Sequence, residues 1–368
     1  MYYTVLLIGF IFQLFNKKIL FWIFSIILVL LAVLRYGIGL DFFAYEYLYL
    51  RLNPSILDEI RFGLDNQEAG FRALGSIMKN IGLSYQQYLG AYSIITILYM
   101  SKICNKYSNN PTLSLLLFFC FYYLTWTFSG IRQGATIAIG LFYLLECIEK
   151  NKTIKFVFIV ILLSFIHSSA IVLLLLYFLS RIDIDKNKLI KLSVASITLS
   201  LIPSGFIISK LTWLPFYSRI FPYLNTEITL NLFDFAGICR ILFLIVALTY
   251  YDQYCKQSDI SKKIINMYIL SFIMYFLLQF SELTAARLGI YGKFLDIIIL
   301  ANILYLYKLS INRLIYILGI LFLCFMYLSK ESAEIKKVII TDSLITPYVN
   351  VFNKGTYNFS RFNIFIDD

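Results

Sequence analysis

Long apolar runs alternate with short polar connections along almost the whole chain. A helix that crosses a bilayer needs about 20 apolar residues, or somewhat fewer where its polar ends reach back to the interface. On this measure the pattern predicts about twelve membrane helices, at residues 2–15, 19–34, 88–103, 111–128, 133–148, 155–166, 169–180, 189–203, 237–252, 264–280, 288–307 and 313–329. The chain is therefore predicted to be an all-α polytopic integral membrane protein, with residues 1–368 in a single membrane domain. The pattern leaves open whether residues 155–180, around His167, cross once or twice.

Basic residues cluster in every second connection between these segments. The clusters are Lys17-Lys18, Lys102/Lys106, Lys150/Lys152/Lys155, Arg181/Lys186/Lys188/Lys191, Lys256/Lys262/Lys263 and Lys308/Arg313. Because dense Lys and Arg mark the cytoplasmic side of membrane proteins, both termini are predicted to lie outside. The longer loops, at about 35–87, 204–236 and 330–368, then fall on the outer face. The cytoplasmic connections are short, so any chemistry is expected outside.

Composition agrees with a membrane protein and narrows the function. Hydrophobic residues make up 60% of the chain and charged residues 14%, against about 25% charged in soluble domains. The net charge of +11 comes from the loop clusters, which indicates membrane lipids rather than nucleic acid as partners. One histidine and six cysteines without a CxxC pair predict no metal site, and the cysteines are interpreted as small buried apolar residues. No cofactor is predicted.

Candidate chemistry begins in the first outer loop, between Arg35 and Asp41 and at the following Tyr45. A cation, a carboxylate and aromatic surfaces in one short window suit a carbohydrate site. An interfacial aromatic belt with a neutral Arg35–Asp41 pair explains the same residues. Glu68 lies in the same loop, where a carboxylate before a glycine is most often part of a solvated turn.

Two further candidates lie at the ends of apolar segments. Arg132 and Gln133 open a segment, and because the N-terminal end of a helix favours anions, they would suit a phosphate. Snorkelling of Arg132 to the interface is the alternative. His167 is the lone histidine. An imidazole exchanges protons near neutral pH and can serve as a general base, while a helix cap or a hydrogen-bonded core residue is the other interpretation.

Later cations extend this set. Arg240 enters the ninth segment, and Arg287 with Tyr291 follows a later outer turn. Guanidinium forks bind phosphate oxygens, so several arginines that meet outside would suit a diphosphate. Structural pairing with Glu282 or Asp234 is the alternative.

One motif is rejected. Asp183-Ile184-Asp185 has the D-x-D form of metal-dependent glycosyltransferases, but it lies in a short basic loop without a nucleotide-binding fold. We interpret it as a solvated charged turn.

Taken in order, these motifs resemble those of the EpsG-like family of polysaccharide polymerases, with the Wzy-type O-antigen and capsule polymerases as wider kin. The run from Arg35 to Tyr45 resembles the family's R-x-x-(x)-G-x-D-(Y/F)-x-x-Y element. The later elements are Glu68-Ala69-Gly70-Phe71 for E-P-G-F, Arg132-Gln133 for an R-Q before a span, His167-Ser168-Ser169-Ala170 for H-x-S-A, Arg287 with Tyr291, and the closing Pro347-Tyr348. Ala69 replaces the usual proline and Leu40-Asp41 the frequent Thr-Asp, and neither change removes a charged group.

The resemblance implies a glycosyltransferase with a GT-C-like fold in the bacterial cytoplasmic (inner) membrane, with its active face periplasmic or extracellular. It would move a growing glycan onto a new repeat unit of an O-antigen, capsular polysaccharide or exopolysaccharide. The substrates would be polyprenyl-diphosphate-linked oligosaccharides, and a flippase and a chain-length regulator are expected partners. On this hypothesis His167 is the base, with Asp41 or Glu68 as rivals or orienting partners. The substrate-binding set is Arg35, Arg132, Gln133, Arg240, Arg287, Tyr291 and Tyr45, in which Arg35, Arg132 and Arg287 would hold the diphosphate.

Two other functions compete with this one. A flippase or transporter of lipid-linked oligosaccharide would carry polar residues on both leaflets and often an internal repeat. Here the polar candidates concentrate on one face and no repeat is obvious, which favours an enzyme. An O-antigen ligase would share the diphosphate and base chemistry, and the sequence does not separate it from a polymerase.

Overall fold

The computed structural model describes residues 1–63, 67–202, 235–279, 282–307, 311–341, 343 and 345–360. These residues are nearly all helical, and each predicted apolar segment coincides largely with a helix. The chain divides into two compact units. Unit 1 comprises Met1–Tyr143, Ile154–Ala170 and Tyr307–Asp368, and unit 2 comprises Leu144–Thr153 and Ile171–Leu306.

Unit 1 is built on long apolar helices that carry a set of short helices. Its elements are α1 (Tyr2–Phe15), α2 (Lys18–Val33), α3 (Phe42–Arg51), α4 (Ile56–Phe62), α5 (Ala69–Asn80), α6 (Tyr85–Tyr107), α7 (Pro111–Phe118) continued by a π-helix (Phe119–Ser129), most of α8 (Ile131–Glu149), α9 (Thr153–Ser164) and the later helix Ile311–Lys336. Helix α2 packs along α6, and the π-helix packs against Ile311–Lys336. Two short antiparallel strands, β1 (Ile339–Ile340) and β2 (Asn358–Phe359), follow near the end of the described chain.

Unit 2 is helical throughout its described part. Its elements are α10 (Val172–Leu179), which follows a 3-10 turn (Ser168–Ile171), α11 (Lys186–Ser200), α12 (Phe235–Thr249), α13 (Tyr251–Cys255), α14 (Asp259–Leu277), α15 (Glu282–Lys293) and α16 (Asp296–Ile303), which a 3-10 turn (Leu304–Leu306) extends. The central α14 contacts α10, α11, α12, α13, α15 and α16. The predicted outer loop at 204–236 lies almost entirely outside the described residues.

Four helices in the described ranges are long and apolar enough to cross a membrane: Pro111–Ser129, Ile131–Glu149, Asp259–Leu277 and Ile311–Lys336. A fifth is reached if Thr284–Lys293 and Asp296–Leu306, which bend by 41°, count as one span. The other apolar helices of this group, such as α1 and α2, have 10–17 residues. The all-α prediction and the membrane prediction are therefore confirmed in this form. Twelve crossings and a GT-C-like fold stay predictions.

Side-chain caps explain where several of these helices begin. Ser84 and Gln87 form a reciprocal capping box at the start of α6. Asn110 accepts from the Leu113 amide, with Pro111 at the first helical position of α7. In the rejected D-x-D motif, Asp185 caps α11, and Asp183 pairs with Lys262 at 2.7 Å. Since the Asp183 side chain is 83% exposed, the interpretation of a solvated charged turn is confirmed.

The predicted first outer loop is more ordered than its sequence suggests. Residues 35–87, which the sequence analysis treats as an outer loop, contain α3, α4 and α5. Aromatic residues of α3, α5 and α6 meet in one buried cluster that includes Phe42, Phe43, Tyr45, Phe71 and Tyr88. This cluster, called the aromatic cluster below, anchors the short helices to unit 1 and thereby positions the polar residues at their ends.

Candidate functional site

Glu68 is the centre of a polar group in unit 1. Its Oε2 forms an ion pair with Nη1 of Arg132. Its Oε1 lies 3.2 Å from Nδ1 of His167, accepts from the Ser168 amide at 3.0 Å, and accepts from the Ser168 hydroxyl at 3.2 Å. The side chains of Arg132, Glu68 and His167 are 17%, 21% and 12% exposed, so the group is largely buried but still reached by solvent.

These contacts hold Glu68 in its ionised form. Partial burial works against the charge, but hydrogen bonds from His167 and from the Ser168 amide, with the charge of Arg132, lower the pKa of Glu68 to about 2. A carboxylate can only accept hydrogen bonds, so Nδ1 of His167 carries the proton in this contact. The ring is therefore held in the tautomer whose other nitrogen, Nε2, has a free lone pair when the imidazole is neutral.

The Nε2 atom of His167 is buried, and it has no hydrogen-bond partner among the residues that the structure describes. A buried polar atom without a partner carries a desolvation cost, which a substrate group can relieve. Carboxylate, imidazole and a free ring nitrogen in this order form the arrangement of an oriented general base. Ser168, beside the ring, is exposed.

Aromatic side chains support Arg132 from the other direction. Its guanidinium carbon lies 4.8 Å from the centre of the Phe71 ring and 5.8 Å from that of Tyr45. Its Nε lies 3.5 Å from the Tyr45 hydroxyl, at the limit of a hydrogen bond. Burial raises the pKa of Tyr45, which therefore keeps its proton. The Nη2 group of Arg132 makes no hydrogen bond within the described part of the chain.

A close backbone approach brings Glu68 to His167. The Phe71 amide donates to the Phe165 carbonyl oxygen at 3.2 Å, which joins the start of α5 to the break after α9. A Cβ at Gly70 would lie 2.7 Å from that same oxygen, so a glycine is needed there. One short turn therefore supplies three features: the carboxylate of Glu68, the close backbone contact at Gly70, and the Phe71 ring that packs against Arg132.

The segment from Arg35 to Leu40 forms hydrogen bonds with the chain just before Arg132. Arg35 Nη1 donates to the Thr127 carbonyl oxygen at 2.6 Å, and the Leu40 amide donates to Ser129 Oγ at 3.0 Å. Between them Gly39, with φ +119°, lies against the Phe128 carbonyl group. These contacts fix the end of the π-helix, and α8 with Arg132 begins two residues later.

Arg35 is fully buried, with 0% exposure. Its guanidinium carbon lies 4.2 Å from the centre of the Phe128 ring, and burial lowers its pKa to about 10. Its Nε and Nη2 groups have no hydrogen-bond partner among the described residues. None of the contacts of Arg35 in these residues is with the Glu68 group. The diphosphate role stays a prediction, while the observed contacts are those of a residue that positions the π-helix.

The remaining candidates lie in several places. In unit 1, Asp41 is half-buried just before α3, and Gln133 is buried at the start of α8. In unit 2, the Arg240 guanidinium carbon lies 3.9 Å above the Tyr275 ring, Arg287 is exposed on α15, and Tyr291 is fully buried. The structure thus brings Glu68, Arg132, His167 and Tyr45 together in unit 1, and it describes Arg240, Arg287 and Tyr291 within unit 2.

Sequence reasoning missed two contributors to this group. Phe71 supports Arg132 through its ring, and Ser168 gives Glu68 two hydrogen bonds. Both residues belong to motifs that the sequence shows, beside Glu68 and His167 respectively. Conservation of these two positions among related sequences would have identified them, but a single sequence shows no conservation.

Comparison with known proteins completes the description of this site. No curated protein and no solved structure gives a significant match. A family model described as the EpsG family matches residues 18–349, which include all the motifs named in the sequence analysis. The predicted resemblance is therefore confirmed over most of the chain. The chain belongs to the EpsG family, whose members are membrane-bound, Wzy-type polysaccharide polymerases.

Proposed function

We propose that this protein polymerises polyprenyl-diphosphate-linked oligosaccharide repeat units on the outer face of the cytoplasmic membrane. Membership of the EpsG family supports polysaccharide polymerisation in general. The observation that carries the specific proposal is the Glu68–His167 contact. The Nε2 atom of this histidine is buried and has no hydrogen-bond partner among the described residues, and the same carboxylate pairs with Arg132. This arrangement suits a reaction that needs a base at an acceptor hydroxyl and a cation at a phosphate.

The reaction is a glycosyl transfer to a hydroxyl group. The acceptor hydroxyl oxygen forms a bond to the anomeric carbon of the growing glycan, and the bond from that carbon to the diphosphate oxygen breaks. The acceptor proton passes to Nε2 of His167, and the diphosphate leaves with the electron pair. Glu68 holds the ring by Nδ1–H and stabilises the imidazolium that forms, which is how a carboxylate supports a histidine base.

Arg132 is assigned to the departing diphosphate. Its Nη1 is used by Glu68, but Nη2 makes no hydrogen bond within the described residues. A guanidinium presents several N–H groups in one plane, so it can keep the ion pair and still donate to a phosphate oxygen. Its place in the first turn of α8 adds the positive end of the helix dipole. Asp41 stays a rival candidate for the base, and Gln133 stays a candidate for substrate binding.

The test uses cells that lack the native protein and express tagged variants, with the glycan ladder on gels as the readout. His167→Ala removes the base, and general bases contribute about 100-fold to 10,000-fold in rate. Arg132→Lys keeps the charge but loses the fork. We expect both variants to attach single repeat units and to lose the long ladder, at unchanged protein levels. Arg61→Lys, at an exposed arginine of α4, is the matched control and should keep it.

Other results would contradict the proposal in recognisable ways. A normal ladder from both variants would remove His167 and Arg132 from the chemistry. Loss of every attached glycan, including the single repeat unit, would indicate a ligase. Lipid-linked intermediates that accumulate in the cytoplasmic leaflet would indicate a flippase.

A further inference from the structure

Unit 1 holds a polar and aromatic cavity, apart from the Glu68 group. Its volume is about 490 Å³, and its lining includes Tyr36, Lys354, Tyr357, Asn358 and Phe359. All five are described by the structure, and none belongs to the candidate site residues of the sequence. The volume lies within the range of about 300–1,000 Å³ that small-molecule sites occupy.

Strand pairing and ring packing fix the residues that line this cavity. Strand β2 pairs with β1 in the register Ile339↔Phe359, so the segment after residue 354 is tied to the end of the helix Ile311–Lys336. The Phe359 ring lies against the backbone of Gly37, which has φ +64° and no room for a Cβ. It also packs edge-on against Phe43 at 5.3 Å between ring centres. The cavity is therefore a formed site and not a gap between loose segments.

Its chemistry combines flat apolar surfaces with exposed polar groups. The rings of Tyr36 and Phe359 lie 6.0 Å apart between centres. The Lys354 ammonium lies 4.6 Å from the centre of the Tyr36 ring, and it has no carboxylate within ion-pair distance in the described chain. The Asn358 side-chain amide makes no hydrogen bond to any described residue. An ammonium and an amide beside aromatic faces suit a ligand with apolar C–H faces and many hydroxyl oxygens.

Residues of the cavity and of the Glu68 group pack against the same aromatic cluster. Tyr36 and Phe359 pack against the aromatic cluster, and Tyr45 and Phe71, which contact Arg132, are members of that same cluster. Tyr36 follows Arg35 directly, and Arg35 grips the segment before Arg132. A ligand in the cavity would therefore contact the same packed structure that supports the proposed catalytic group.

We propose that this cavity is a glycan subsite, which binds sugar residues of the lipid-linked oligosaccharide through Tyr36, Tyr357, Lys354 and Asn358. The proposal rests on the polymerase function proposed above and adds where its substrate is held. Sugar rings stack their C–H faces on the aromatic side chains, and their hydroxyl or carboxylate oxygens accept from Lys354 and Asn358. Such a subsite raises the affinity for glycan without taking part in bond making or breaking.

The test measures binding and chain length separately. The probe is the oligosaccharide released by mild acid from the lipid-linked repeat units of the producing strain. Its binding to the full-length protein in nanodiscs is measured by saturation-transfer NMR and calorimetry. We expect Tyr357→Ala to weaken binding at least about fivefold, or about 1 kcal/mol, and Lys354→Gln to act in the same direction. Both variants should also shift the glycan ladder to shorter chains.

The control is Phe352→Ala, an aromatic residue of the same segment that is 84% exposed and does not line the cavity. It should bind the probe as the wild type does. Equal binding by Tyr357→Ala and Phe352→Ala would overturn the subsite. So would binding of glycerol phosphate in place of the oligosaccharide, since the cavity would then hold a lipid headgroup. His167→Ala separates the two proposals: it should bind the probe normally, and this result supports the subsite whether or not that variant still polymerises.

Discussion

A single carboxylate joins the charged residues of the candidate site. Glu68 contacts Arg132 with one oxygen and His167 and Ser168 with the other. Each partner donates to the ionised form, so the three contacts reinforce one another in favour of the charge. Glu68 therefore serves as an orienting group for His167, and its pKa of about 2 keeps it ionised at neutral pH.

The lowered pKa of Glu68 predicts how stability depends on pH. Because folding lowers this pKa from its ordinary value of about 4.5 to about 2, its contacts stabilise the folded state fully above the ordinary value. Their contribution is lost as pH falls from there through about 2. We expect Glu68→Gln to lower the thermal unfolding temperature at pH 7 and to lower it less at pH 3. Thermal unfolding of the detergent-solubilised protein measures this difference.

The matched control is Asp58→Asn, at an exposed carboxylate of α4 in the same loop. It should change the unfolding temperature little at either pH. A difference between wild type and Glu68→Gln that stays constant from pH 7 to pH 3 would show that the three contacts do not hold the charge. The same variant should lose at least about 100-fold of the polymerisation rate at neutral pH, where the orienting charge is missing.

Pairs of segments, rather than single helices, place the site residues. The start of α5 lies on the break after α9, which brings Glu68 to His167. The segment from Arg35 to Leu40 lies on the end of the π-helix, which sets the position of Arg132. Both contacts need a glycine, at Gly70 and Gly39, because a Cβ would meet a carbonyl group. A π-helix beside a functional group is a common association.

Gly70→Ala tests the first of these contacts. The added methyl group would lie 2.7 Å from the Phe165 carbonyl oxygen, so the start of α5 has to move away from that segment. A displacement of about 1 Å at a catalytic group can cost about 100-fold in rate. We expect a loss of polymer of this order, measured on the glycan ladder, with a destabilisation of about 1–3 kcal/mol from overpacking.

Gly319→Ala is the control for this change, because nothing lies within 4 Å of a Cβ at that helical position. It should keep both the ladder and the unfolding temperature. If Gly70→Ala polymerises as well as Gly319→Ala does, the close approach of α5 to Phe165 does not matter for the site.

At the scale of the whole molecule, unit 1 combines membrane helices with a cap of short helices. Helices α3, α4 and α5 follow the apolar α2. The aromatic cluster joins α3 and α5 to α6, and α4 packs against α5. The basic clusters of the sequence predict that this cap lies outside the cytoplasm, with the connection before α7 on the opposite side. The proposed joining of lipid-linked repeat units on the outer face requires this orientation of the chain in the bilayer.

Thiol labelling of intact cells tests this orientation. The positions are Arg61→Cys in the cap and Asn105→Cys near the end of α6, both exposed. Five of the six native cysteines are buried, and Cys255→Ser removes the sixth from the background. We expect a membrane-impermeant maleimide to label Arg61→Cys in intact cells and Asn105→Cys after permeabilisation alone. The reverse pattern would place the cap in the cytoplasm and exclude the proposed outer-face reaction.

The pattern along the chain was sufficient for the apolar helices, the membrane character and the family, but not for the short helices α3, α4 and α5. Apolar periodicity and helix-capping residues depend on near neighbours along the chain, so the sequence shows them directly. The order of the motifs identified the EpsG family. Packing determined which of these residues meet. Glu68 and His167 are separated by 99 residues, and the sequence offered Asp41 and Glu68 equally as partners of the histidine. The contact of α5 with Phe165 selects Glu68 as the partner of His167. The position of Arg35 against the π-helix buries its side chain. Both results depend on how distant helices pack, which the local sequence does not determine.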